Sequence, residues 1–506
     1  MINLRSVYVH SEEQTRRAAV ALFGLLAFFL LIQSVFSPAI ALAFLFSLVV
    51  LFVTFTRPLA AIGFVALYLP FEPVLLKFIP DSVYLFARFF SEGLIYLVAA
   101  VVLYRWLTGR LALKRTALDL PFLLFVTALI AAAAVHFVPL PIAILGLRQI
   151  LRFILVFFLV VYLEPSKPFI KRLTVALLAI VLFQSALGIA QSFVGTPLDQ
   201  FLIASEERTL GEITFENVEQ FWNPGERVFA TLGRYDRLGN FLYFFLLIGS
   251  GLLFTLGKKH LKDRQWLWLV FALGIPALVM TYSRSSWFAF LLGFLFIGLI
   301  IKRDKRVFAG LLASVLIVLG YLAVSGLTVG ILADAPGQSV TERFFEAFSY
   351  ARWRGEYEGL GRLFWYVHTP TTVVAASPLL GWGPGQFGGG AVSVLRNTAV
   401  YEHLGLPFGI YGTEGFIDSN WFSLWGEAGT LGLVFFIWMY AALFRRALAS
   451  YRASRDPFVQ GLAVGFAAIL LAVAFNALTS TVFEIRTVGF YLWLYGGFVY
   501  AHRSSE

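Results

Sequence analysis

The chain has 506 residues and no cysteine. That excludes a disulfide framework, a thiolate nucleophile and any cysteine-held metal. Charge is nearly as scarce. Asp, Glu, Lys and Arg make up 13% of the chain, against about 25% in a soluble globular protein. No internal repeat, heptad array or low-complexity tract is present, and no His/Asp/Glu spacing marks a metal site. What fills the chain is hydrocarbon: 59% of residues are hydrophobic and the mean hydropathy is +0.81. Such a composition describes a polytopic membrane protein, to which length rules for soluble domains do not apply.

A helical span needs about 20 apolar residues. Fourteen runs qualify, near 18–36, 38–56, 58–78, 83–104, 118–136, 145–163, 170–194, 238–256, 266–283, 285–301, 307–330, 421–444, 458–481 and 487–502. The expected fold is therefore all-α, one integral membrane domain over 1–506 with about 14 (12–14) transmembrane helices. The apolar run from Ala18 continues past Ala41-Leu42-Ala43, which reads as a retained anchor rather than a cleaved signal peptide.

The formal charge is +10. Its location argues against nucleic acid, because the basic residues fall in alternate loops, as cytoplasmic loops of membrane proteins do. These include Arg16 and Arg17, Arg110 and Arg115, Lys258 and Lys259, Lys302 to Arg306, and Arg445 and Arg446. Both termini are then cytoplasmic, and the two long loops lie on the other side. Residues 195–237 hold eight acidic residues against four arginines, and 331–420 hold eight against five. The second loop, rich in Trp, Phe and Tyr, is too long and too aromatic for a plain connector. Short amphipathic helices are expected around 340–368.

Charges at the apolar border are the main pointers to function. Arg148 and Arg152 stand one helical turn apart, which puts both on one face. Arg284 lies in the turn TYSRSSW, Glu72, Arg88 and Glu92 near the ends of two spans, and Glu484 and Arg486 beside the last hairpin. Converging guanidinia suit an anionic headgroup, a diphosphate above all; arginines near helix ends also snorkel to the interface without binding anything. Asp418 is the best candidate general base, with Asn420 placed to orient it or a sugar hydroxyl. Alternatively Asp418 or Ser419 caps the helix that begins near Trp421. Glu427 lies on the face of that helix that carries Gly429 and Gly432, as for an anchor at a close helix contact. His403 and His368 share the long loop, but no partner spacing supports catalysis. Gly383-Pro-Gly385-Gln-Phe-Gly388 spells a dinucleotide fingerprint by letter only. It lacks the required strand–turn–helix setting and reads as a tight turn at the membrane surface.

Several segments together resemble the O-antigen ligase and O-antigen polymerase superfamily. DSNWFSLWGEAGTLG (Asp418 to Gly432) is similar to that family's signature HN-x-x-L-x-x-x-x-E-x-G-x-x-G, with Asn420, Leu424, Glu427, Gly429 and Gly432 filling matching roles. SPLLGWGPGQF, GRLFW (with Arg362), RVFATLGRYDRLGNFL and TYSRSSW are similar to further family elements, in the family's order. The resemblance implies a GT-C-like, inverting, metal-independent glycosyltransferase of the bacterial plasma membrane. Its donor would be an undecaprenyl-diphosphate-linked glycan and its acceptor a glycan or lipid, with no cofactor. Other polysaccharide-export proteins would be its partners. Arg148, Arg152, Arg284 and Arg362 would hold the diphosphate, with Arg88, Glu427 and His403 as further candidates. Ligases of the family carry a histidine where this chain has Asp418-Ser419, which tilts the expectation to a polymerase. A ligase and a polysaccharide or lipid transporter remain the alternatives. The absence of an internal repeat weighs against the transporter.

Overall fold

The computed structural model describes residues 37–203, 208–210, 213–215, 226–257, 261–324, 343–344, 350–409 and 415–501, with a few positions between 24 and 34. Most of the expected span 18–36 and the end of 307–330 lie outside them. The chain is an all-α polytopic membrane protein. Six described helices are long and apolar enough to cross a membrane, seven if one bent pair counts as a single span.

In chain order the first helices are α1 (Pro38–Thr56), α2 (Pro58–Tyr68), α3 (Glu72–Lys77), α4 (Asp81–Leu107) and α5 (Asp119–Val135). Then follow α6 (Leu140–Leu151), α7 (Ile154–Leu163), α8 (Lys167–Val194) and α9 (Thr196–Leu202). A short antiparallel hairpin pairs Arg208–Leu210 with Ile213–Phe215. Next come α10 (Tyr235–Thr255), α11 (Leu261–Met280), α12 (Arg284–Leu295) and α13 (Lys305–Val324). The long loop carries α14 (Tyr350–Glu358), α15 (Arg362–His368), α16 (Gly390–Leu395) and α17 (Ala399–Leu404). The chain closes with α18 (Asn420–Ala453), α19 (Pro457–Thr479) and α20 (Arg486–Ala501).

Three expected spans are not single helices. The run 58–78 divides into α2 and α3, because Pro70 and Pro73 cannot continue the amide ladder. The freed Pro70 carbonyl accepts the Thr231 hydroxyl at 2.7 Å. The run 145–163 bends by 54° between α6 and α7. The run 421–444 is interrupted at Gly429, whose φ of 65° and ψ of −174° leave the helical region. The run 285–301 changes pitch instead, passing from α12 into a π-helical turn at Phe296–Ile301.

At the centre, every residue of α10 from Leu238 to Leu252 is buried. A helix apolar on all sides belongs inside a bundle. It packs on α19 through small residues, as helices in lipid do when no hydrophobic force drives them together. A Cβ at Gly251 would meet the Gly461 carbonyl oxygen and lie 2.7 Å from the Gly465 nitrogen. Asn476 on α19 donates to Asn240 Oδ1 on α10 at 2.6 Å, and Ser286 on α12 donates to the same oxygen at 3.2 Å. The outer helices do the reverse, presenting Phe52 (67% exposed) and Ile317 (72%) outward, a surface suited to lipid.

Gly251→Ala is expected to destabilise the protein by about 1–3 kcal/mol through overpacking, read as a lower midpoint of thermal unfolding in detergent. Gly310→Ala is the matched control, because its Cβ would meet nothing within 4 Å.

Candidate functional site

The break in α18 builds the site. Past Gly429, two amides turn to the loop: Thr430 N–H donates to Pro378 O at 3.0 Å and Leu431 N–H to Leu379 O at 3.1 Å. In the other direction Trp382 N–H donates to Gly426 O and Gly383 N–H to Glu427 O, both at 2.9 Å. The segment 378–383 is thus threaded into the break. The turn expected of this segment is built into the break of the helix. The positive φ at Gly381, Gly383, Gly385 and Gly388 explains why the segment needs glycine. Buried Glu427 receives the segment's next stretch. Its Oε1 accepts the Gly385 amide at 2.8 Å, and the Gln386 and Phe387 amides also donate to the carboxylate.

The first turn of α18 is held by the α19–α20 connection. Ser419 occupies the N-cap position, but its side chain makes no cap bond there. Its hydroxyl donates to Ala477 O at 3.2 Å, so the capping alternative does not hold for Ser419. Asn420 N–H donates to Ser480 O at 3.3 Å, its Oδ1 accepts the Phe483 amide at 2.7 Å and its Nδ2 reaches Glu484 Oε1 at 3.4 Å. Asn420 is therefore a buried tether. Glu484 Oε2 also accepts Gln149 Nε2 at 2.5 Å and the Gly390 amide at 3.0 Å. Burial pushes the Glu484 carboxyl up, against the opposing pull of these donors and Arg152.

Asp418, half-exposed at 51%, accepts from Arg362 Nη2 at 3.0 Å. Glu356 anchors the same arginine, its Oε2 accepting the Arg362 amide at 3.1 Å and its Oε1 standing 3.8 Å from Nη1. Burial alone would lower the Arg362 pKa, but Asp418 and Glu356 overcome it and hold the guanidinium charged. Arg234 is raised chiefly by Asp236, 2.9 Å away, with Asp418 also within electrostatic reach. Nearby, Tyr366 stacks on Phe422 with centroids 4.7 Å apart and donates to Leu478 O.

Arg148 and Arg152 do converge, on Glu92. Arg148 grips it bidentately, with both bonds 2.5 Å, and Arg152 Nη1 lies 3.5 Å away. Arg152 also donates to Glu484 O at 3.1 Å. Arg88 receives Arg486 on its carbonyl at 3.1 Å, and Arg486 pairs with Glu72 at 3.0 Å. Arg284 opens α12 beside the Ser283–Ser286–Asn240 chain. His403 packs edge-on against Trp382 at 5.3 Å, a ring that also meets His136 at 4.9 Å.

Sequence reasoning gave no role to Gln149, Arg234 or Arg237, and no position to His136. Only Arg237, a charge in the first turn of a strongly apolar helix, carries a local signal. An apolar groove of about 450 Å³ runs between α18 and α19 just past Asn420, lined by Trp421, Tyr440, Phe444, Leu470, Leu471 and Leu478 among others. Among the described residues no group of three or more His, Asp or Glu could hold a metal. No family model matches the chain, and no curated protein matches it.

Two outcomes follow. Glu427→Ala leaves three amides without their acceptor, at about 1–3 kcal/mol for each one left buried and unsatisfied. Its unfolding midpoint should fall well below that of Glu427→Gln, which keeps an acceptor oxygen. Glu484 has a raised folded-state pKa, so its contribution to stability is complete below the ordinary carboxylate value. It is lost as pH rises through the raised one. Wild-type unfolding temperature should fall across that window, and Glu484→Gln should flatten the fall.

Proposed function

We propose that the protein is a GT-C-like glycosyltransferase that polymerises polysaccharide repeat units carried on undecaprenyl diphosphate. It would work at the outer face of a bacterial plasma membrane, with about 14 spans, both termini cytoplasmic and the 331–420 loop outside. The observation that carries this reading is the Asp418–Arg362 pair, a half-exposed carboxylate held by a guanidinium where the broken helix begins. Its position within DSNWFSLWGEAGTLG supports the resemblance to the O-antigen ligase and polymerase superfamily.

In this reading an acceptor hydroxyl oxygen attacks the anomeric carbon of the donor glycan. The new glycosidic bond forms as the bond from that carbon to the diphosphate oxygen breaks, with inversion. Asp418 takes the hydroxyl proton, and undecaprenyl diphosphate leaves with the bonding electron pair. Arginine charge stabilises the leaving group. Buried Asn420 and half-buried Glu484 keep the first turn of α18 in place, and the apolar groove past Trp421 suits a polyprenyl chain.

Purified protein given an undecaprenyl-diphosphate-linked oligosaccharide should yield a ladder of longer lipid-linked glycans, resolved by mass spectrometry. Asp418→Ala and Arg362→Ala should each lower extension by about 100-fold or more with normal protein levels. Transfer only to an added lipid acceptor would make the protein a ligase. Lipid movement across liposomes without glycan extension would make it a transporter.

A further inference from the structure

The ion pairs of the cleft use up most of its arginines. Arg148 and Arg152 share Glu92, Arg362 is bound by Asp418 and Glu356, Arg234 is paired with Asp236, and Arg486 with Glu72. Arg237 is different. It sits in the first turn of α10, one turn beyond Arg234, and its side chain is exposed. Among the described residues it has no hydrogen-bond or salt-bridge partner. Its electrostatic neighbours are Asp236, already ion-paired with Arg234, and three further guanidinia, Arg234, Arg486 and Arg88.

Like charges gathered in a recess repel unless an anion joins them. Among the described residues, Glu72 and Asp236 stand against Arg234, Arg237 and Arg486, with Arg88 beside them, which leaves positive charge in excess. The excess falls on the one of these whose donors are uncommitted. Arg237 thus offers a free planar fork, the geometry that matches phosphate oxygens. Through Arg234 the recess adjoins Asp418.

We propose that Arg237, framed by Arg234 and Arg486, is an anion site that takes the phosphate groups of a lipid-linked substrate, beside but separate from the Arg362–Asp418 pair. Assigning the anion to a lipid headgroup rests on the glycosyltransferase reading; the anion site itself does not.

The test is calorimetric binding of geranylgeranyl diphosphate to the full-length protein in detergent, with inorganic diphosphate and uncharged geranylgeraniol as comparison probes. Geranylgeranyl diphosphate should bind, and Arg237→Gln should weaken it about tenfold or more, the loss of a charge-assisted bidentate contact. Arg237→Lys, which keeps the charge without the fork, should fall between. Because Arg237 makes no hydrogen bond or salt bridge among the described residues, Arg237→Gln should unfold at the wild-type temperature, which separates lost binding from misfolding. Arg57→Gln, at an exposed arginine between α1 and α2, should bind as wild type does.

Competition by inorganic diphosphate at equal strength would identify the free anion as the ligand, and failure to compete would identify the lipid headgroup; either keeps the site. Unchanged affinity in Arg237→Gln, or geranylgeraniol binding as tightly as its diphosphate, would overturn it. Binding through Arg237 in a protein that extends no glycan would keep the anion site and reject the glycosyltransferase.

Discussion

A helix broken at membrane depth exposes amides and carbonyls that hydrocarbon cannot satisfy, and the chain must supply their partners. In α18 the break at Gly429 is met by residues 378–383, whose backbone bonds to both sides of it. The rest of the site follows from that exchange. Once 378–383 are threaded in, the next residues can bring three amides onto buried Glu427 and one onto Glu484. The long loop is thereby fixed to the bundle at its middle, and Ile417, next to Asp418, closes it by donating to Gly388 O at 3.0 Å.

Two carboxylates on opposite sides of one glycine segment, Glu427 buried and Glu484 half-buried, would be an expensive arrangement if they were charged and unpaired. A Cβ at Gly389 would lie 3.4 Å from Glu427 Oε1 and 3.5 Å from Glu484 Oε1, so the two acids stand close together. Each is instead surrounded by donors. The donors on Glu484 come from three separate elements, Gln149 on α6, Asn420 on α18 and Gly390 on α16, together with the nearby charge of Arg152. A single acid therefore ties the bend between α6 and α7 to the break in α18. Displacing either interruption disturbs the other, which couples the stability of the fold to the geometry of the cleft.

The architecture was legible where composition acts alone. Long apolar runs are helices, and the all-round burial of α10 matches its predominantly apolar stretch Leu238–Leu252. The interruptions were legible only in part. Pro70 and Pro73 announce the division of α2 from α3. Gly429 does not announce its break, because a glycine in a membrane helix more often marks a close contact. Its left-handed φ arises from a segment some fifty residues earlier in the chain, which no local window contains. Spacing likewise put Arg148 and Arg152 on one face, yet could not reveal that Glu92 on another helix would occupy both.

Pairing, more than the presence of charge, decides which arginines are free to act. Glu92 draws two guanidinia into a compact unit, and a carboxylate gripped bidentately gives up its partner only at the expense of a strong bond. An incoming anion would have to displace Glu92 there, whereas Arg237 has no hydrogen-bond or salt-bridge partner among the described residues. The same distinction separates Asp418 from Glu427. Both are carboxylates in one signature, but Glu427 is closed in by three backbone donors while half of Asp418 remains open to solvent beside one guanidinium. In the proposed glycosyltransferase a proton acceptor must reach its substrate, so accessibility favours Asp418 for that role and leaves Glu427 a structural one. That assignment explains how one short stretch of helix can serve both: the break at Gly429 needs a rigid anchor just before it, and the helix start needs an exposed end.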